Sequence, residues 1–253
     1  MAKIIAFANQ KGGVGKTTSA VNIASALGIK GKRVLLVDCD PQGNASSGVG
    51  ILKAQAKQTV YDVLIGRAQI KDTVMKTEYK NLDVIPSGLD LAAAELELAE
   101  LENRQNRLRD PLNEIKDHYD YIVIDCPPSL GMLTVNALTA SDGVIIPMQC
   151  EYFALEGLSQ MLMTVKQVKK LYNSKLSLTG ILITMYNGRL NLSVQVLEEL
   201  KKHYADKLFS VNVTRSVRLS EAPSYGEPIQ YYDKHNKGAK EYDAITKEIM
   251  ERI

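Results

Sequence analysis

Seven short runs of this chain are apolar on both alternating faces: Lys3–Ala8, Arg33–Val37, Leu82–Ile85, Tyr121–Ile124, Gly143–Pro147, Leu178–Thr184 and Leu208–Val211. A strand with two apolar faces needs cover from both sides, which a half-solvated antiparallel sheet does not provide. Between the runs lie segments of helical period, roughly Lys16–Gly28, Leu91–Gln105, Leu133–Ala140, Leu155–Tyr172, Ser193–His203 and Ala239–Glu251. This alternation predicts an α/β fold, a doubly wound and mostly parallel sheet flanked by helices on both faces. No linker or low-complexity tract divides the 253 residues, so a single domain over 1–253 is expected, large enough for one sizeable core. Residues 41–80 break the rhythm and read as a loop with small helices.

Charge narrows the function classes. Lys and Arg number 31 against 29 Asp and Glu, a net +2, which excludes a polycationic tail while leaving room for a local basic patch. The first residues show no basic segment followed by a long apolar stretch, and no apolar run reaches membrane-spanning length, so a cytoplasmic protein without a membrane segment is expected. Cys39, Cys126 and Cys150 are odd in number and far apart. That spacing suits buried thiols in a reducing compartment rather than a disulfide framework or a zinc cage.

The segment Gln10-Lys11-Gly12-Gly13-Val14-Gly15-Lys16-Thr17-Thr18 follows the first strand and opens the first helix. Glycines there let backbone N–H groups turn inward around a polyphosphate, and the helix N-terminus adds a favourable dipole. Lys16 is spaced to reach the β- and γ-phosphates, and the Thr17 hydroxyl to bind Mg²⁺. ATP and Mg²⁺ are thus the expected ligands of residues 11–18. The P-loop pattern departs in one place: Gln10 stands where a glycine is usual. A second lysine, Lys11, lies inside the loop, and since Lys16 already fills the loop's own position, Lys11 is placed to reach a nucleotide held by a second copy of the chain.

Two strands end in carboxylates, Val34-Leu-Leu-Val-Asp38-Cys39-Asp40-Pro41-Gln42-Gly43-Asn44 and Tyr121-Ile-Val-Ile-Asp125-Cys126-Pro127-Pro128-Ser129. Ligands of open α/β sheets sit beyond the carboxyl ends of the strands, so these acids are expected beside the loop. Asp125, after four apolar residues, fits a Walker B position. Asp38 and Asp40 share one side of an extended chain, so that one can face the metal shell and the other the attacking water.

These motifs, with Glu151-Tyr-Phe-Ala-Leu-Glu-Gly157 and Arg218-Leu-Ser-Glu-Ala-Pro223, resemble the ParA/Soj chromosome-partition ATPases of the deviant Walker A class, over nearly the whole chain. The resemblance implies two ATP sandwiched between two subunits, with Lys11 and Lys16 on the phosphates, Asp40 on the water, and Asp38 and Asp125 with Thr17 in the Mg²⁺ network. The first strand starts at residue 3, so the short subtype, without an N-terminal helix-turn-helix, is expected. In that subtype the ATP dimer binds double-stranded DNA without sequence preference, which places the protein on the nucleoid, and a ParB-type partition protein stimulates hydrolysis. Arg189 and Arg218 match the DNA-contact positions, within residues 189–218, where six basic side chains face three acidic ones. Near the adenine the family reads Pro-Arg where this chain has Thr214-Arg215; Met185, Thr214 and Ser216 are the adenine-side candidates.

Three rivals share parts of this pattern. A MinD-like membrane-associated ATPase that regulates cell-division placement would end in a basic amphipathic helix. The terminal Lys240–Ile253 segment instead mixes charges and reads as a packing helix. An iron–sulfur carrier would pair cysteines across a subunit interface. A switch that binds ATP without hydrolysing it would not need Lys11, Lys16 and Asp40 together.

Overall fold

A computed structural model describes residues 1–253, the side chain of Lys53 excepted. Seven strands form one sheet: β1 (Lys3–Phe7), β2 (Val34–Asp38), β3 (Met75–Lys76), β4 (Leu82–Ile85), β5 (Tyr121–Asp125), β6 (Gly143–Met148) and β7 (Ser177–Ile183). Their order is β3-β4-β2-β5-β1-β6-β7. Every pairing is parallel except β3 with β4. The helices are α1 (Lys16–Ile29), α2 (Asn44–Ser47), α3 (Val60–Ile65), α4 (Ile70–Thr73), α5 (Leu91–Ala99), α6 (Arg109–Ile115), α7 (Met132–Ala140), α8 (Ala154–Leu171), α9 (Asn191–Tyr204), α10 (Val217–Glu221), α11 (Ile229–Tyr232) and α12 (Lys237–Arg252).

The period-two geometry of a strand sorts its residues into two cores. Ile4 and Ala6 of β1, Leu35 and Val37 of β2, and Ile122 and Ile124 of β5 join a core with α3 and α5 to α9. Their neighbours Ile5, Phe7, Val34, Leu36 and Val123 join another with α1 and α12. Both faces are therefore dry, and the doubly wound expectation holds. Small side chains bring α1 close to the sheet edge: a Cβ on Gly28 would lie 2.2 Å from the Lys80 carbonyl oxygen, so only glycine fits that crossing. The helix α12 starts at Asn236, whose Oδ1 accepts from the Gly238 N–H at 2.8 Å, and buries Tyr242, Ile245 and Ile249. It is a packing helix, as its mixed charge implied, and no helix among the described residues is long and apolar enough to cross a membrane.

Three expectations need correction. Leu208–Val211 is not a strand; only Leu208 bridges to Ile181 of β7. The groups that would extend a ladder are taken by α12: the Leu208 carbonyl accepts from Arg252 at 2.6 Å, and Ser210 N–H donates to Glu248 at 3.0 Å. The helix expected over Leu91–Gln105 stops at Ala99, because Asn103 adopts φ 53°, a left-handed conformation that no helix continues through. The sequence pattern also hid β3, a two-residue antiparallel edge too short to show alternation. All three cysteines are buried free thiols.

Candidate nucleotide site

Sheet order gathers the chemistry. β1 lies between β5 and β6, and the P-loop leaves its carboxyl end where the winding reverses, the place at which open α/β sheets bind ligands. In register, Phe7 pairs with Asp125, and Asp125 with Asp38. Three segments far apart in sequence therefore end side by side. Asn9 shapes the exit from β1: its amide donates to the Pro147 carbonyl at 2.8 Å while its Oδ1 accepts from Lys11 N–H at 3.0 Å. Gly15 caps α1 with φ 82°, the left-handed turn that points the helix N-terminus into the loop. From outside, Thr184 donates to the Val14 carbonyl at 2.8 Å, and Gln149 to that of Gly13 at 2.6 Å.

The loop borders a cleft of about 320 Å³ lined by Gly13, Lys16, Thr17, Thr18, Asp40 and Met185. A second, of about 360 Å³, shares Thr17 and Thr18 and extends past Pro223. Size does not single these out, since two clefts of about 490 Å³ open at the amino ends of the strands. Their chemistry does. Lys16 is buried and donates to the Lys11 carbonyl at 3.0 Å. Burial pushes its pKa down, and Asp125 and Asp40 pull it back up. Asp40 lines the cleft, with Oδ1 accepting from Gln42 N–H at 2.9 Å.

Asp125 is fully buried, and neither carboxylate oxygen has a hydrogen-bond partner. Burial first, and then the charge of Asp38, push its pKa well above the usual carboxylate range, while the nearby Thr17 hydroxyl opposes them. An unpaired buried carboxylate is costly, and one beside a threonine hydroxyl and a phosphate loop suits a hydrated Mg²⁺, which takes few protein ligands and keeps its waters. The residues fit that ion. Asp38 is held by its own chain: its Oδ2 accepts from Ser46 N–H and Oγ, both at 2.7 Å, and its Oδ1 from Asp40 N–H at 3.2 Å. Burial pushes its pKa up to about 6. Its oxygens are committed to its own chain, so it braces the backbone of Asp40 and does not line the cleft.

Lys11 forms an ion pair with Glu151, both side chains about half exposed (44% for Lys11 and 48% for Glu151). The sequence offered Glu151 only as part of a motif; nothing local linked it to a lysine 140 residues earlier. The adenine-side candidates do converge. Met185 takes φ 49°, its sulfur accepts from Arg215 at 3.8 Å, and Tyr186 bridges to Thr214. The Thr214 hydroxyl is spent on buried Glu241 at 3.0 Å, and that of Ser216 on Asn236 at 3.3 Å. Arg189 is exposed and without an ion-pair partner among the described residues. Arg218 is instead held by Glu221 at 3.1 Å, by Asp233 at 3.9 Å and by the Tyr232 hydroxyl at 3.3 Å.

Comparison with known proteins agrees with this geometry. A family model described as an AAA domain matches residues 2–178. The chain is 56% identical over 249 residues to the sporulation initiation inhibitor protein Soj of Bacillus subtilis, covering 98% of each. It is 48% identical over 252 residues to the chromosome partitioning protein ParA of Caulobacter vibrioides, covering 99% of this chain and 94% of that one. Among solved structures, cobyrinic acid a,c-diamide synthase from Mycobacterium smegmatis, with bound ATP analogue and magnesium, aligns with a TM-score of 0.86 at 34% identity, covering 98% of this chain and 93% of that one. With a parallel sheet whose phosphate loop and strand-end carboxylates share one edge, and with relatives matched nearly end to end, the chain belongs to the ParA/Soj family of chromosome-partitioning ATPases.

Proposed function

We propose that this single-domain ATPase is a dimer switch: Mg·ATP pairs two copies, the pair binds duplex DNA without sequence preference, and hydrolysis, stimulated by a ParB-type partner, releases it. The observation that carries the reading is the division of labour between two lysines. Lys16 is buried within the loop, whereas Lys11 reaches outward to Glu151, a cation that its own phosphate site does not use.

On this reading the residues act as follows. The N–H groups of residues 12–18 hold the phosphates, and Lys16 leaves the Lys11 carbonyl to neutralise them. When bound, Mg²⁺ draws charge from the β- and γ-phosphate oxygens, with Thr17 as a ligand and Asp125 behind its waters. Lys11 of each copy crosses to the terminal phosphate held by the other. Asp40, fixed through its backbone by Asp38, orients the attacking water. Met185, with the 214–216 loop pinned by Glu241, borders the base. Phosphoryl transfer asks little covalent chemistry of the protein, so an incomplete charge set in the lone subunit leaves turnover slow.

DNA binding follows from pairing. Each phosphate neutralised releases counterions, so doubling the basic face steepens both affinity and salt dependence. Exposed Arg189 is the principal contact on this reading. Arg218, already paired with acids, contributes after rearranging or not at all. The test is size-exclusion of Asp40→Ala with Mg·ATP or Mg·ADP, with and without nonspecific duplex. A dimer that forms only with ATP and carries the duplex supports the reading; a monomer under all four conditions overturns it.

A further inference from the structure

The edge of the sheet opposite the nucleotide site holds a cleft of about 490 Å³, whose lining includes Lys3, Arg109, Lys116, Thr139, Asp142 and Lys175. Four cations, from β1, the start of α6, the turn after α6 and the turn after α8, line it, although the chain as a whole is almost neutral. The one acid, Asp142, is engaged, its Oδ2 accepting from Ile4 N–H at 2.9 Å.

Basic residues often gather at helix C-termini simply to satisfy carbonyls and the dipole, and α7 and α8 both end at this edge. Only Arg109 does so here, donating to the Tyr172 carbonyl at 3.3 Å. The carbonyls of Leu138 and Ser141 are already capped by the Asn173 amide, at 3.1 and 2.6 Å. Lys116 donates to neutral Asn113 at 2.7 Å, and Lys3, Lys116 and Lys175 have no acidic partner among the described residues. A separate observation points the same way. Thr139 is 1% exposed, lines the cleft, and its Oγ1 has no hydrogen-bond partner. Buried hydroxyls are almost always satisfied, and a threonine on a helix ordinarily bonds back to a carbonyl one turn earlier. This one does not.

We infer that this cleft is a second ligand site, for a small polyanion of the phosphate class, which the four cations neutralise and toward which the Thr139 side chain rotates to donate its unpaired hydroxyl. The volume suits a polyphosphorylated metabolite and is too confined for a duplex. α7 joins the two edges of the sheet: it carries Thr139 at one end, and at the other follows the Asp125–Gly131 segment, whose Pro128 borders the nucleotide cleft. An occupant at the amino edge therefore pulls on a rigid rod of nine residues, about 13 Å long, that ends beside the Walker B strand.

The test uses the full chain with its P-loop saturated by Mg·ADP at constant free Mg²⁺, titrated with inorganic tripolyphosphate by calorimetry. One saturable site is expected, weakened by about tenfold or more in Lys116→Glu/Lys175→Glu and by about three- to tenfold in the near-isosteric Thr139→Val. ADP affinity should be the same in all three proteins, which separates this site from the loop. Absence of saturable binding up to about 5 mM, or equal affinity in wild type and both variants, overturns the inference. So does a double variant that loses nonspecific duplex binding while tripolyphosphate binding is unchanged, since the cations would then belong to a nucleic-acid path.

Discussion

Removing the acid that holds Lys11 should make the ATP dimer tighter. On the proposed function, the Lys11–Glu151 pair of the lone subunit must open before the lysine can cross to a partner's nucleotide. Both side chains are about half exposed (44% and 48%), so the pair belongs to the weak class, worth about 0.5–1 kcal/mol after solvent screening and side-chain entropy. A dimer opens two of them, so Glu151→Gln removes about 1–2 kcal/mol of opposition, or about 5- to 30-fold in the dimer dissociation constant. The same pair bounds the change in folding stability, which should fall by no more than about 1 kcal/mol. The assay is sedimentation equilibrium with Mg·ATP over a concentration series, in an Asp40→Ala background that suppresses turnover, alongside urea unfolding of each protein. A dimer constant that stays unchanged or weakens refutes the reasoning, because Glu151 would then be neutral or a positive part of the assembled interface rather than a brake.

Other consequences are equally direct. Ser46→Ala deletes the hydroxyl bond to the Asp38 carboxylate and leaves Ser87 N–H, which donates to Ser46 Oγ at 3.1 Å, without an acceptor. It should destabilise the fold by about 2–4 kcal/mol in urea unfolding, and a loss below about 1 kcal/mol would show that water replaces the hydroxyl. Arg189→Glu should leave ATP-dependent pairing intact while lowering the salt slope of duplex binding by about 2 per dimer, read by fluorescence anisotropy; an unchanged slope moves the DNA face elsewhere. Hydrogen bonds from Arg33 hold the Asp120 carboxyl down at about 2, below its ordinary 3.8. The stability from this depressed pKa is present above the unfolded value and lost as pH falls from about 4 towards 2. Asp120→Asn should flatten unfolding midpoints over that window, modestly because the pair is exposed; an identical acid profile would remove the pair from acid unfolding.

Much of this molecule is written locally. The phosphate loop is one contiguous segment whose function rests on backbone N–H groups, left-handed glycines and a helix start, all set by adjacent residues. The strand-end acids were legible because a two-sided apolar run announces a buried parallel strand and therefore where its carboxyl end points. The packing role of α12 followed from its period and mixed charge. What failed locally failed for an identifiable reason: Leu208–Val211 has strand composition, but α12 claims its polar backbone groups.

Side-chain partnerships were decided only by the tertiary structure. Lys11 meets Glu151, Asp38 meets Ser46, Thr214 meets Glu241, and Lys3, Lys116, Thr139 and Lys175 come together around one cleft. Local propensity fixes which element forms, through dihedral preferences and periodicity that a few neighbours specify. Which charges finally face one another depends on strand order and helix crossings, set by the burial of two whole cores, and no window of sequence contains that.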